Sequence, residues 1–292
     1  MMKYVLWIVI VLAAIFDSTG QEACANWTNL PNQAEITALF KSYRESLKNN
    51  DFASAFEGWL KVFESAPAGD GKRSYVFDDG IKIYTRFFGD EKDNQKKKDL
   101  VAKIMSLYDQ RFICFPTKAN VDGQKAFEYY FTFTGYASDD EIWSLFKKAW
   151  DKEGMNAGYF MLNPTTAILV KQIQDKKVPI EEGRKYISLI QSVLEHGLKN
   201  CKDPKDCEPW NIIKDFVPAR LTELEKVAGY YDCNYYFDTY YKAFEAEPMN
   251  CEVINTAYEK LKTNKCNDID ERWIKLKAAK EKYCKKNTGT KK

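Results

Sequence analysis

Histidine is nearly missing from this chain: its 292 residues carry one, His196. Histidine-centred catalytic triads and multi-histidine metal sites therefore have nothing to be built from. Neither a Gly-x-Gly-x-x-Gly string nor a P-loop string occurs, so the common phosphate cradles are absent. No two cysteines stand at Cys-x2-4-Cys spacing, which removes the usual zinc knuckle. The formal charge is only +2, without the basic balance that nucleic-acid binding leaves in a sequence. The long apolar run at 4–16 stops at Asp17, short of the roughly twenty residues that a membrane-spanning helix needs. Strand-like alternation of useful length is absent as well. Of the acid–base options, Asp78-Asp79 and Asp139-Asp140 are paired carboxylates, yet both stand at helix starts, where acidic groups stabilise exposed amides. His196 falls in the last turn of a helix, facing free carbonyls. The expectation is a protein that is not an enzyme, with no catalytic, cofactor-binding or metal-binding residues.

What is present is an ordered composition, 45% hydrophobic and 29% charged, and a pattern that returns. Ala55, Trp59, Val62 and Pro67 stand at spacings of four, three and five, and Tyr236, Tyr240, Ala243 and Pro248 repeat them. Ile104, Tyr108, Arg111 and Pro116 form a third copy, with Arg111 a misfit in an apolar stripe. Each copy reads as a helix with one apolar face, closed by a proline that cannot continue it. Such a helix cannot bury its stripe alone, so neighbours must stack on it.

Taken in order, the helical periodicity predicts antiparallel pairs. Asn32 with Glu35 reads as a capping box for a helix reaching about residue 48, and Asn49-Asn50-Asp51 turns the chain into the helix of Trp59. A second pair is expected near 75–88 and 96–115, across a polar linker at 89–98. A third starts at Gly123 and turns at Gly135, and a capping box of Ser138 and Glu141 opens its second helix. The fourth covers 157–175 and 180–196, its second helix opened by Pro179 and closed by Gly197. A fifth covers 209–227, kinked at Pro218, and 233–246. Two helices follow, at 251–263 and 270–284. The expected fold is all-α, with about ten to twelve helices.

Lys3, the apolar run, and the small residues Ser18 and Gly20 read as a secretory signal peptide over 1–20. The mature domain is then 21–284, followed by a disordered basic tail at 285–292. The residues before Cys24 lack the Leu-small-small pattern of lipidated cysteines, so plain export is expected, to the periplasm, the outer-membrane surface or the exterior. All eight cysteines lie in the mature chain, and an even count in an exported protein favours disulfides. If the last three helices alternate in direction, the start of one lies beside the end of the next. Cys233 then meets Cys266, and Cys251 meets Cys284. A Cys233–Cys251 bridge would span a helix about 20 Å long, against the roughly 4.4–6.8 Å between Cα atoms that a disulfide tolerates. Cys201 and Cys207 close their own loop, which leaves Cys24 with Cys114.

The stripe Ala55, Trp59, Val62, Pro67 resembles the second helix of tetratricopeptide repeats, in which small and aromatic residues hold set positions and a proline closes the pair. Leu39 and Tyr43 fall roughly where first-helix residues are expected, although no Trp-x2-Leu-Gly string is present. The runs Asp79-Gly80-Ile81-Lys82-Ile83-Tyr84 and Leu107-Tyr108-Asp109-Gln110-Arg111 resemble exported repeat proteins of Bacteroidota cell envelopes. That resemblance implies a solenoid of helix pairs and a scaffold that binds a protein partner or peptide segment, such as part of an envelope complex. Its concave face, lined by the first helices, would use Tyr43, Arg44, Tyr84 and Arg86. The alternative is a carbohydrate- or small-ligand-binding protein using its aromatic groups. Residues 236, 237, 240, 241 and 244 trace one helical face and read as core, which leaves Tyr231 and Tyr235 as the surface candidates.

Overall fold

The computed structural model describes residues 24–116, 121–266 and 270–284; the expected signal peptide and basic tail lie outside them. The described residues hold helices and no strand. They fall into two units, divided between Ile168 and Leu169.

In the first unit a 3-10 turn, Trp27–Asn29, is capped by Asn26, whose side chain accepts from the Thr28 amide at 3.1 Å. The helices are α1 (Gln33–Lys48), α2 (Phe52–Ser65), α3 (Tyr75–Asp90), α4 (Asn94–Cys114), α5 (Val121–Phe131), α6 (Asp139–Glu153) and α7 (Tyr159–Gln174), with the unit boundary inside α7. From α1 to α6 each helix packs on the next. The core gathers around Trp59, 1% exposed, with Tyr43, Val62, Phe77 and Ile83. Its indole Nε1 donates to the Val76 carbonyl at 2.7 Å, tying α2 to the start of α3.

The second unit holds α8 (Ile180–Asn200), α9 (Pro204–Ile213), α10 (Phe216–Leu221) and a 3-10 turn, Thr222–Lys226. Then come α11 (233–246), α12 (Cys251–Thr263) and α13 (Glu271–Tyr283). Its core is built from Tyr236, Tyr241, Phe244, Ile254, Leu261 and Trp273.

The three proline-closed helices end alike. α2, α4 and α11 stop at Ser65, Cys114 and Ala246. The next residues, Ala66, Phe115 and Glu247, have ψ of 67°, 63° and 65° and φ between −149° and −130°. Each immediately precedes a proline, whose ring disfavours the α conformation there. In each case the cap amide still bonds the carbonyl of the third stripe residue: Val62, Arg111 or Ala243.

The stripes themselves diverge. Ala55, Trp59 and Val62 are all buried. In α11 a π segment, Phe237–Tyr241, interrupts the α turns Cys233–Tyr236 and Lys242–Ala246. It carries one residue more per turn, so Tyr241 and Phe244 are buried with Tyr236 and Phe237, in place of 240 and 243. In α4 the misfit Arg111 faces inward with Ile104 and Tyr108, and it is accommodated by an ion pair to Asp78 at 2.6 Å.

Three local expectations are corrected. Asn32 makes no cap: its φ of −99° and ψ of 29° leave the extended region from which a side chain reaches the first-turn amides. Gly197 does not close α8, which runs on to Asn200; it makes room for Trp210, whose ring would lie 2.3 Å from a Cβ there. The linker before α4 is short, because α3 continues to Asp90 and Asp93 caps α4 by accepting from the Lys96 amide at 2.8 Å. The Ser138–Glu141 capping box forms in both directions.

Four disulfides join Cys24 to Cys114, Cys201 to Cys207, Cys233 to Cys266 and Cys251 to Cys284, with Cα–Cα distances of 5.1–5.3 Å. The two C-terminal bridges each tie the start of one helix to the residues after the next, as alternating helix directions require.

Candidate functional site: a basic groove and an aromatic cleft

The first helices α1 and α3 border a groove of about 590 Å³. Ile36, Tyr43 and Leu47 turn the inner stripe of α1 to the core, which leaves Phe40, Lys41, Arg44 and Lys48 along the groove, opposite Asp79 and Lys82 of α3. Tyr43 is therefore not a surface binding residue: it is 1% exposed, seated against Gly58, where a Cβ would come within 2.9 Å of the tyrosine Cβ. Its hydroxyl donates to Asp79 Oδ2 at 3.0 Å. Arg44, half-exposed, reaches the same oxygen at 3.2 Å. Burial raises the Asp79 carboxyl above the ordinary carboxylate value, while Arg44 and the Tyr43 hydroxyl pull it back. Burial also drives the Tyr43 hydroxyl strongly upward, so it serves as a fixed donor.

Arg44 lies over the Tyr75 ring at 4.4 Å and the Phe40 ring at 5.3 Å. Arg73, paired with Asp70 at 2.7 Å, lies over Tyr75 at 5.0 Å. Cations and rings thus alternate along this edge. Four cations of the groove face two carboxylates. Lys48 approaches Glu45 at 3.9 Å, whereas among the described residues Lys41 and Lys82 have no carboxylate within ion-pair distance, Lys82 acting on Asp79 only from farther off.

Tyr84 and Arg86 are not brought to this groove. Tyr84 is half-buried edge-on against Phe56 and Trp59 of α2, at 5.7 and 5.5 Å. Arg86 is exposed, paired with Asp90 at 2.9 Å. Residues two apart on a helix face nearly opposite ways, so these two cannot share a surface.

In the second unit Tyr231 and Tyr235 stack face to face, with centroids 3.6 Å apart, and line a cleft of about 490 Å³ between α8 and α10. The Tyr231 hydroxyl donates to the Leu221 carbonyl at 3.0 Å and that of Tyr235 to Glu225 at 2.9 Å. Glu225, 6% exposed, also accepts from Tyr240 at 2.6 Å and from Lys260. Burial works to raise its carboxyl, but the bonds from Lys260, Tyr240 and Tyr235 outweigh it and hold the value below the usual range. Sequence reasoning missed Glu225, which stands in a polar Glu223-Leu224-Glu225-Lys226 string that reads as solvated.

Among the described residues no group of three or more His, Cys, Asp or Glu side chains is placed to hold a metal ion. No helix among them is long and apolar enough to cross a membrane. No family model matches the chain, and no curated protein or solved structure matches it.

Proposed function

We propose that this chain is an exported, non-catalytic helical-repeat scaffold whose α1/α3 groove binds an acidic, extended segment of a partner protein in the cell envelope or outside the cell. The observation that carries the reading is the pair of lysines without a direct ion pair, Lys41 and Lys82, on facing walls beside Arg44, which Asp79 holds. Carboxylates of a partner would complete these charges, and complementary charge governs both selection and encounter rate. The sequential packing of α1 to α6 supports a repeat-type stack, in which the first helices line a continuous face. The pairing of all eight cysteines suits an oxidising compartment.

The test is fluorescence anisotropy with a labelled peptide rich in Asp and Glu, beside a Lys-rich peptide of equal length. The acidic peptide should bind with an affinity that falls as salt rises. The double variant Lys41→Ala/Lys82→Ala should bind it about tenfold more weakly, since two half-exposed pairs supply about 1–2 kcal/mol together. Equal binding of the Lys-rich peptide, or an unchanged affinity in the double variant, would overturn the reading.

A further inference from the structure

α8 presents Arg184, Ile187, Ser188 and Gln191 to the second unit's cleft, one stripe at i, i+3, i+4 and i+7. Pro218, Leu221 and Thr222 stand across from it, and three tyrosines, 230, 231 and 235, complete the wall. The volume, about 490 Å³, lies within the range of small-ligand sites.

What the walls have left to offer decides the ligand. Among the described residues Arg184 is the one charged side chain lining the cleft, and its terminal nitrogens are engaged: one donates to Glu181 at 2.7 Å, the other to the carbonyls of Gly229 and Tyr230. The Thr222 hydroxyl donates to the Ala219 carbonyl at 2.7 Å. The hydroxyls of Tyr231 and Tyr235 are committed to Leu221 and Glu225, which fixes their rings, and the Tyr230 ring is buried under Arg184. Among the described residues the Ser188 hydroxyl and the Gln191 amide have no side-chain partner. They stand one helical turn apart, between apolar walls.

An anionic ligand would have to compete with Glu181 for Arg184, and a cationic one would meet that guanidinium, each at a desolvation cost. A wholly apolar one would cover Ser188 and Gln191 without pairing them. A ligand with apolar ring faces and neutral hydroxyls on its rim meets both conditions, its carbon-bound hydrogens against the tyrosine rings and its hydroxyls on Ser188 and Gln191. We propose that this cleft is a binding site for a short neutral saccharide. The tyrosine walls are held in place before the ligand arrives, which lowers the ordering cost of binding. The site belongs to a different unit from the α1/α3 groove and does not depend on it.

The experiment is isothermal titration of the full chain with neutral malto-, cello-, manno- and xylo-oligosaccharides, with oligogalacturonate as the acidic counterpart. At least one neutral series should bind at millimolar concentration or below. Gln191→Ala and Ser188→Ala should each weaken it by about three- to tenfold, with unchanged melting temperatures because both side chains are exposed and unpartnered. Lys41→Ala/Lys82→Ala should bind sugar like the parent chain, which keeps this result separate from the peptide measurement. The proposal is overturned if no neutral series binds, if Gln191→Ala and Ser188→Ala bind like the parent, or if oligogalacturonate binds as tightly.

Discussion

Trp59 occupies the space where residue 80 would carry a side chain. A Cβ on Gly80 would stand 2.4 Å from Cζ2 of the indole and 2.7 Å from Cε2. The ring has no retreat, being bonded to Val76, stacked on Phe63 at 4.9 Å and met edge-on by Tyr84. Gly80→Ala should therefore destabilise the first unit by about 1–3 kcal/mol, as read by urea unfolding. Gly89, in the same helix with nothing within 4 Å of its would-be Cβ, is the control: Gly89→Ala should raise stability by about 0.5 kcal/mol. Similar effects at both sites would show that the indole is not held. At Glu225 the consequence is pH dependence. A carboxyl held below its ordinary value of 4.5 contributes stability that is fully present above 4.5 and lost as pH falls through the lowered folded-state value. Glu225→Gln should be less stable than the parent at pH 7 and should lose less stability in acid, checked by melting at several pH values. Asp79, held above its ordinary value of 3.8, works with the opposite sign: its contribution is present at low pH and fades as pH rises through the raised value.

At the scale of the element, the π segment of α11 acts as one inserted residue. Removing exposed Thr239 would return the helix to an α register, bringing Tyr241 and Phe244 to the spacing that Trp59 and Val62 hold after Ala55. The deletion should leave a folded chain with helical circular dichroism close to the parent's. Deletion of Glu57 from the regular α2, which rotates Trp59 and Val62 out of the core, should abolish folding of the first unit. Apolar spacing made helices of this kind legible from the residues alone, down to the bounds of α12, because burial of one face is a local periodic property. The π insertion was not legible, since the tyrosine-rich string satisfies two registers and only packing selects between them. Tyr43 was misplaced for a related reason. An amphipathic tyrosine suits either surface or core, and the partner that decides, Asp79, lies 36 residues away. Arg44, next to it on the helix, lines the groove because its register faces outward. Glu225 stayed hidden because its donors Tyr235, Tyr240 and Lys260 come from two helices that follow it in the chain.

At the scale of the whole chain, the disulfides differ in the freedom that they remove from the unfolded state. The bridge between Cys24 and Cys114 spans a separation of 90 residues, the two C-terminal bridges 33 each, and Cys201 to Cys207 only 6. Chain-entropy scaling gives about 4–5, 3–4 and 2 kcal/mol in that order. Paired Cys→Ser variants should follow this ranking in denaturant unfolding, and an equal cost for all four would set strain or residual structure above loop closure. On the proposed export, the connectivity also bears on the order of events as the chain is delivered. A chain that crosses a membrane amino end first delivers Cys24, which meets no other thiol until Cys114 arrives, and Cys201 and Cys207 follow as neighbours. The last two bridges interleave: Cys233 and Cys251 both enter the oxidising side before Cys266 and Cys284. The earliest bond open to them is with each other, and it would clamp together the starts of α11 and α12, which lie at opposite ends of an antiparallel pair. Reaching the native pairing then takes thiolate attack by the later cysteines. In a host stripped of its disulfide isomerase, unreduced peptide maps should carry a Cys233–Cys251 fragment, and the native form should accumulate more slowly.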